Sequence, residues 1–339
     1  MKHLFRQCLL VVLLILFWLA PLHAASDGSG NRTPDEVKVS NLPFLFYAPF
    51  HIAQKEGFFK EKNLRVTFVK LGRSQRMIAI AQGQIDVSGT LIRASTLNIM
   101  QGDSEVRIVA DKGFLSTKSC VETALMVNQK VYESGRLDSP DGFRGLRISF
   151  EPMTMEGYYM EKFLHSKGLA LSDVKSLMLP TPASEFEALG KGAVDMVSYS
   201  EPWITRTVKL KMGRVYLPVK ELIPGAQYAV VLYGPNLRVK RPDVGKRFMV
   251  AYLKGVRQYN QGKTDRNIEI IAEVTRLDRA LLREMCWPAF ADDGRIKLQS
   301  VLGFQAWALK KGFLKAALPP DRIWDNRFVE YANQHLNTP

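Results

Sequence analysis

From residue 36 onward, apolar and polar positions follow two periods that take turns along the chain. Val37-Lys38-Val39 and Leu64-Arg65-Val66-Thr67-Phe68-Val69 alternate residue by residue, the pattern of a half-buried strand. Between them Asn41–Phe44 reads as a loop and Ala48–Glu56 as a helix, closed by Gly57 where a left-handed residue is favoured. Gly72-Arg73-Ser74 leads into a helix over Gln75–Gln82, with Ser74 placed to cap its first N–H groups, and Ile85-Asp86-Val87 follows as a third strand. Strand and helix keep alternating, which predicts an α/β fold. From Pro242 the pattern turns mostly helical, with spaced apolar positions over Val244–Tyr259 and Leu298–Lys311.

One stretch occurs twice. Ala79-Ile80-Ala81-Gln82-Gly83-Gln84-Ile85-Asp86-Val87 returns 109 residues later as Ala188-Leu189-Gly190-Lys191-Gly192-Ala193-Val194-Asp195-Met196. Each copy ends a helix at a glycine and opens a short strand carrying an Asp. Six of the nine positions match or are similar, which favours a duplicated lobe over a generic helix–Gly–strand junction. Met160–Leu169 and Ala308–Leu314 each place Lys in a last helical turn with Gly after it, as the helix dipole and the left-handed cap prefer. These two are structural punctuation.

The N-terminus departs from both periods. Lys2 and Arg6 precede an uninterrupted apolar run of twelve, Leu9–Ala20, followed by Pro21-Leu22-His23-Ala24-Ala25. The run is shorter than the roughly 20 residues of a membrane span, so residues 1–25 read as a secretory signal cleaved near Ala24/Ala25. Ser26–Asp35 reads as a flexible Gly/Ser leader. The protein is then exported, to the periplasm, and Cys120 and Cys286 remain in a disulfide-permissive compartment, where they either pair or stay as buried hydrophobes. The 339 residues suffice for two domains, and loss of Lys2 and Arg6 takes the net charge from +14 to +12. That charge favours anionic ligands or surfaces. It is spread along the chain without a basic block interleaved with aromatics, which argues against nucleic acid as a partner.

Motifs of catalysis are missing. His51, His165 and His335 lie far apart, and no HExxH, CxxC, Walker loop or Gly-x-Ser-x-Gly elbow occurs. Gly28-Ser29-Gly30 sits in the leader rather than at a strand-to-helix turn. The expectation is no metal, no cofactor and no catalytic constellation. What remains suits recognition. Asn41-Leu42-Pro43-Phe44-Leu45-Phe46-Tyr47 is an aromatic-rich loop beyond the first strand, where open α/β sheets bind ligands, although any one of its rings reads equally as core. Gly72-Arg73-Ser74 and Met153-Thr154 precede helices, as caps or as holders of an anionic head. In Tyr199-Ser200-Glu201-Pro202-Trp203 an acid and an indole meet at a strand end; Glu201-Pro202 there either starts a helix or orients a ligand.

Four segments carry a resemblance. Ala48–Val66, Ile78–Thr90, Asp141-Gly142-Phe143-Arg144-Gly145-Leu146-Arg147-Ile148 and Gly192–Trp203 resemble, in order and spacing, the nitrate/sulfonate/taurine and thiamine-precursor (SsuA/THI5-like) periplasmic binding proteins of ABC importers. The likeness runs from Val37 to Leu237, some two-thirds of the chain. It implies an α/β, type II binding protein: two lobes joined by two crossing strands, with a ligand cleft between them and closure by hinge motion. Lobe one would be 36–120 and 228–339, and lobe two 121–227. By the resemblance, Asn41, Phe44, Ser74, Gln75, Thr90 and Tyr228 line the cleft from one side, and Thr154, Glu201 and Trp203 from the other.

The implied function is non-catalytic capture of a small organic solute, anionic or heterocyclic, and its delivery by a monomer to a membrane ABC permease. The alternatives are an exported enzyme of the same fold acting on a heterocyclic or organic-acid substrate, and a sensory ligand-binding module. The sequence departs from the family at two points. Asn41 stands where thiamine-precursor relatives often carry Trp, and the Cys-rich signature of the yeast enzyme cousins is missing. The substrate is therefore open. Glu201 disfavours a plain inorganic anion unless Arg73, Arg76 or Arg93 offsets it, and an organic body fits the aromatic loop better.

Overall fold

The computed structural model describes residues 33–102 and 104–336, and the side chains of Arg73 and Ser74 are not described. The expected signal segment lies outside the described residues, as does the expected leader up to residue 32. Asp35, the leader's last residue, already pairs with Leu64 in the first sheet.

The alternating segments form β1 (Asp35–Ser40), β2 (Leu64–Val69), β3 (Val87–Leu91) and β4 (Arg107–Asp111), with α1 (Ala48–Lys55), α2 (Arg73–Ala81) and α3 (Ala94–Gln101) between them. β5 (Thr123–Asn128), β6 (Arg147–Ser149), α4 (Met155–Ser166), β7 (Lys175–Leu177), α5 (Pro182–Gly190), β8 (Met196–Ser200), α6 (Trp203–Lys209) and β9 (Gly213–Pro218) follow. β10 (Ala229–Tyr233) and the helices α7 (Pro242–Tyr259), α8 (Asp265–Thr275), α9 (Leu298–Lys310) and α10 (Arg327–His335) complete the chain, with shorter helical turns in between. α2 begins two residues earlier than expected: Gly72 is its N-cap, and the Gln75 side chain accepts from the Gly72 N–H at 3.2 Å, so Ser74 lies inside the helix.

The fold is α/β with two five-stranded sheets, ordered β2-β1-β3-β10-β4 and β7-β6-β8-β5-β9. In each, three parallel strands are followed by one antiparallel strand and an edge. The antiparallel strand comes from across the molecule in sequence, β10 in the first sheet and β5 in the second. The repeated stretch holds equivalent places. Asp86 and Asp195 sit just ahead of β3 and β8 rather than in them. Their carboxylates accept the backbone N–H of Lys38 (2.7 Å) and Arg147 (2.8 Å) in the neighbouring strand. Gly83 and Gly192, at φ 71° and 70°, end the preceding helices in the left-handed conformation.

The chain crosses between sheets over 112–122 and 219–228. These crossings are irregular, the second opening with a helical turn at Val219–Leu222, and they are bonded through Tyr228 N–H to Gly113 O (3.1 Å), Leu115 N–H to Ala226 O (2.9 Å) and a single bridge at Phe114–Gln227. Gly113, at φ 127°, breaks the ladder, and a Cβ there would come within 2.7 Å of the Phe46 ring. Cys120 and Cys286 form a disulfide, tying the first crossing to the C-terminal segment. Val37 and Val39 of the first sheet are buried with Phe248, Tyr252 and Ile268 from α7 and α8. A second core runs continuously from Ile92 and Leu97 through Met155 and Phe163 to Val301 and Phe304. α9 therefore serves both sheets: Tyr158 of α4 packs edge-on to Phe304 and Trp307, and the Trp307 indole donates to Glu161 at 2.5 Å.

Candidate functional site between the two sheets

Parallel strands of both sheets end at one cavity of about 240 Å³, so its walls are the segments that follow strand ends. β1, β3 and β4 contribute Phe44, Phe46, Tyr47, Thr90, Arg93 and Lys112, and α2 adds Arg76. Facing them, segments after β6, β7 and β8 supply Glu151, the stretch Met178–Pro182, Glu201 and Trp203, while Glu156, Glu185 and Tyr199 come from α4, α5 and β8.

The first wall is cationic. Arg76 is buried and donates through Nη1 to the Tyr47 hydroxyl (2.8 Å) and to Gly89 O (3.0 Å). Lys112 is only 2% exposed, and its ammonium lies over the rings of Tyr47 (4.1 Å) and Phe46 (5.4 Å). Among the described residues no carboxylate is ion-paired with it. Burial, reinforced by the charge of Arg76, brings its pKa down to about 7. Gly89 makes room: a Cβ there would meet Lys112 Cε at 2.3 Å.

The opposite wall is anionic. Thr154 caps α4 by accepting the Glu156 N–H (3.1 Å), and the Glu156 carboxylate in turn accepts the Glu151 N–H (3.0 Å). Burial, with Glu185 and Glu151 nearby, raises the Glu156 pKa to about 7. Glu185 accepts from the Ser149 hydroxyl at 2.6 Å. The Tyr199 ring lies 6.4 Å from that of Trp203, its hydroxyl is buried without a hydrogen-bond partner, and burial raises its pKa. The walls meet where Arg93 pairs with Glu151 at 3.1 Å and Ala94 N–H bonds to Met153 O at 2.9 Å.

Of the residues expected in the cleft, Phe44, Thr90, Glu201, Trp203 and Tyr228 line the cavity. Phe44 is 47% exposed at its mouth. Glu201 takes the first of its two expected roles, at the start of α6. It lines the cavity, and its carboxylate accepts from Thr205 N–H (3.1 Å), Thr205 Oγ1 (2.7 Å) and Cys286 N–H (3.2 Å), which starts α6. Asn41 lies behind the loop, donating to His51 Nε2 at 2.9 Å. Burial, with Lys55 nearby, lowers the His51 pKa to about 4, which keeps the ring a neutral acceptor. Thr154 is buried as a cap, and Gln75 is exposed beside Gly72. The Ser74 side chain lies outside the described residues.

Sequence reasoning passed over Lys112, Glu151, Glu156, Glu185 and Tyr199. Two signals pointed to some of them. Lys112 follows five buried strand residues directly, as a residue at a strand's carboxyl end does. The 109-residue offset that relates Asp86 to Asp195 also relates Thr90 to Tyr199, both in the cavity wall. Glu156 and Glu185 carried no signal, since exposed helices use Glu freely.

The profile of the NMT1/THI5-like family matches residues 46–261. No curated protein matches the chain in sequence. Among solved structures it is similar to the ligand-binding component of an ABC-type import system from Staphylococcus aureus with zinc bound, with TM-score 0.72 and 16% identity over 88% of this chain and 99% of that one. The periplasmic nitrate-binding protein NrtA from Synechocystis PCC 6803 is similar at TM-score 0.72 and 14% identity, over 90% of each chain. The desulfurization enzyme DSZB shares the fold at TM-score 0.65 and 13% identity, over 89% of this chain and 99% of that one. Binding proteins and an enzyme thus share this architecture. Among the described residues no group of three or more His, Cys, Asp or Glu is arranged to hold a metal ion.

Proposed function

We propose that this chain, which belongs to the NMT1/THI5-like family, is the solute-binding component of an ABC uptake system. It captures a small organic ligand between its two lobes and presents the closed form to a membrane permease. The observation that carries this reading is the cavity itself. Both sheets contribute its walls, and the Arg93–Glu151 pair and the Ala94–Met153 bond join those walls at its edge. A ligand touching both walls binds the closed arrangement more tightly than the open one, and that difference is what stabilises closure. The working form is a periplasmic monomer whose signal has been removed. Lobe one is 36–120 with 228–339, and lobe two is 121–227. Phe44, Thr90, Glu201, Trp203 and Tyr228 contact the solute directly, while Asn41, Ser74, Gln75 and Thr154 hold the loops and helix starts around it.

Capture without catalysis is part of this reading. The test is a thermal-shift screen of the solute-stripped protein against sulfonates, nitrate, pyrimidines and aromatic acids. Ligand at one hundred times its Kd adds about 2.7 kcal/mol of stability. One strong hit recovered chemically unchanged supports the reading. A hit recovered as product turns it to the enzyme of the same fold, and a flat screen counts against small-solute capture.

A further inference from the structure

The two segments that the disulfide joins also hold one residue of the cavity wall. Glu201 donates its N–H to Glu122 O at 3.1 Å, two residues after Cys120, and its carboxylate accepts the Cys286 N–H at 3.2 Å. Cys120 and Cys286 are themselves bonded, so backbone, carboxylate and sulfur bridge close one ring through Glu201. One side of that ring is anchored in the core. Cys286 lies between the buried Met285 and Trp287, and the Trp287 ring stacks on Tyr259 at 5.2 Å while its indole N–H donates to Leu282 O at 2.9 Å. The other side is a turn over residues 116–120, bonded largely within itself, as in Ser119 Oγ to Ser116 O at 3.0 Å. The sulfur bridge fastens this turn to the anchored side.

We infer that the Cys120–Cys286 disulfide is a positioning element of the solute site. Neither cysteine is among the residues that line the cavity, so the bridge acts through Glu201, which does. It holds Glu201 by main chain and carboxylate together, and with it Trp203, two residues further along the same wall. The path from Glu201 to Trp203 is short. The Glu201 carboxylate also accepts from Thr205 N–H (3.1 Å) and Thr205 Oγ1 (2.7 Å), so the first turn of α6, which carries Trp203, takes its direction from Glu201. The exposed Lys209–Glu284 pair extends the contact with the C-terminal segment to the far end of α6. Trp203 in turn lies 5.3 Å from the Phe186 ring and 6.4 Å from that of Tyr199, so a shift of α6 reshapes an aromatic part of the wall. The effect of the bridge on affinity rests on the solute-binding reading, whereas its effect on the wall does not.

The decisive readout is the surroundings of Trp203, which needs no solute. Fluorine NMR of the chain labelled with 5-fluorotryptophan, with the Trp203 signal assigned by Trp203→Phe, should show that signal displaced when Cys120→Ser and Cys286→Ser are combined. The signals of Trp307 and Trp324, remote in sequence from both cysteines, should stay in place. Cys120 is exposed, so dithiothreitol reaches the bridge in the unaltered chain. Two electrons and two protons pass to the sulfur pair, leaving two thiols and cyclic, oxidised dithiothreitol, and the Trp203 signal should move as it does in the serine variant. Glu201→Leu should displace it too, and adding the serine pair should displace it little further, because both act through one contact. Circular dichroism melts check that the variants fold, and the reduction experiment stands without them. A Trp203 signal unmoved after full thiol release overturns the inference. So does collapse of all the tryptophan signals together, which would assign the bridge to the fold as a whole. Among sulfonates, nitrate, pyrimidines and aromatic acids, the compound with the largest thermal shift should bind the serine variant about tenfold more weakly, the worth of one charge-assisted hydrogen bond. Unchanged affinity overturns the inference while leaving solute capture intact. A flat panel counts against solute capture alone, and the Trp203 signal still decides the role of the bridge.

Discussion

The two sheets are built to one plan and finished differently. Their strand orders are equivalent, and in each an Asp ahead of the third parallel strand takes the N–H of the first. Lys38 and Arg147, the two donors, are themselves 109 residues apart. The finish differs in what completes each Asp. Asp195 holds the Arg147 guanidinium of its own sheet at 2.7 Å, and this pairing brings its carboxyl below the usual range against the opposing effect of burial. Asp86 takes Asn236 (3.0 Å) and Arg241 (3.4 Å), from the segment after β10. Lobe two closes locally, whereas lobe one needs the chain to return. Duplication explains the shared frame and the position of the cavity. It does not explain the charges, because Lys112, Glu156 and Glu185 have no counterparts of like charge at the 109-residue offset.

The comparison can be broken most severely at the disulfide. Cys120→Ser with Cys286→Ser opens a link between residues 166 apart and should cost about 2–5 kcal/mol in denaturant unfolding. Little or no change in midpoint would mean that the core shared through α9 already holds the crossing in place. Next come the paired aspartates. Asp86→Ala and Asp195→Ala each remove the acceptor of a strand N–H and the carboxylate facing an arginine, which keeps its bond to a backbone carbonyl (Arg241 to Glu36 O, Arg147 to Gly192 O), and each should lose about 1–3 kcal/mol. Losses that differ by more than the value of one hydrogen bond would show that the two junctions are equivalent only in outline.

A third prediction sets function against stability. Lys112→Met should weaken binding of an anionic solute by about 100-fold, the loss of a buried charged partner, yet stabilise the empty protein. The lowered pKa of Lys112 means that the unfolded chain binds the extra proton between about pH 7 and 10. The penalty is therefore full below pH 7 and fades as pH rises toward 10. Unfolding at pH 6 and pH 10 should show the gain at the first and little at the second, and an equal gain at both would trace it to packing. The smallest effect belongs to the mouth. Phe44→Ala should change stability by less than about 0.5 kcal/mol, as expected of an exposed side chain, while weakening a ring-bearing solute several-fold. Trp203→Ala should likewise cost more in affinity than in melting temperature.

Local pattern carried much of the frame. β1 and β2 were legible because one face of each is buried and the other is not, so period two survives in the residues. The Gly83 and Gly192 junctions were legible because only glycine adopts that backbone without strain. The start of α2 was misplaced because Ser74 has the chemistry of a cap, while the Gln75 side chain performs that role from inside the helix. The crossings were expected as strands, and Gly113 makes them irregular where the Phe46 ring needs the space.

The sequence by itself determined the α/β class, the twofold repeat and the segments beyond strand ends that line the cavity, all of which follow from local periodicity and local backbone preference. Tertiary structure alone decided the pairing of Cys120 with Cys286 and the retreat of Asn41 to His51. It also decided the meeting of Lys112 and Arg76 with Glu156 and Glu185 across one cavity. Those depend on which distant segments share a desolvated space, and a charge acquires its significance there only from burial and from the charges it faces.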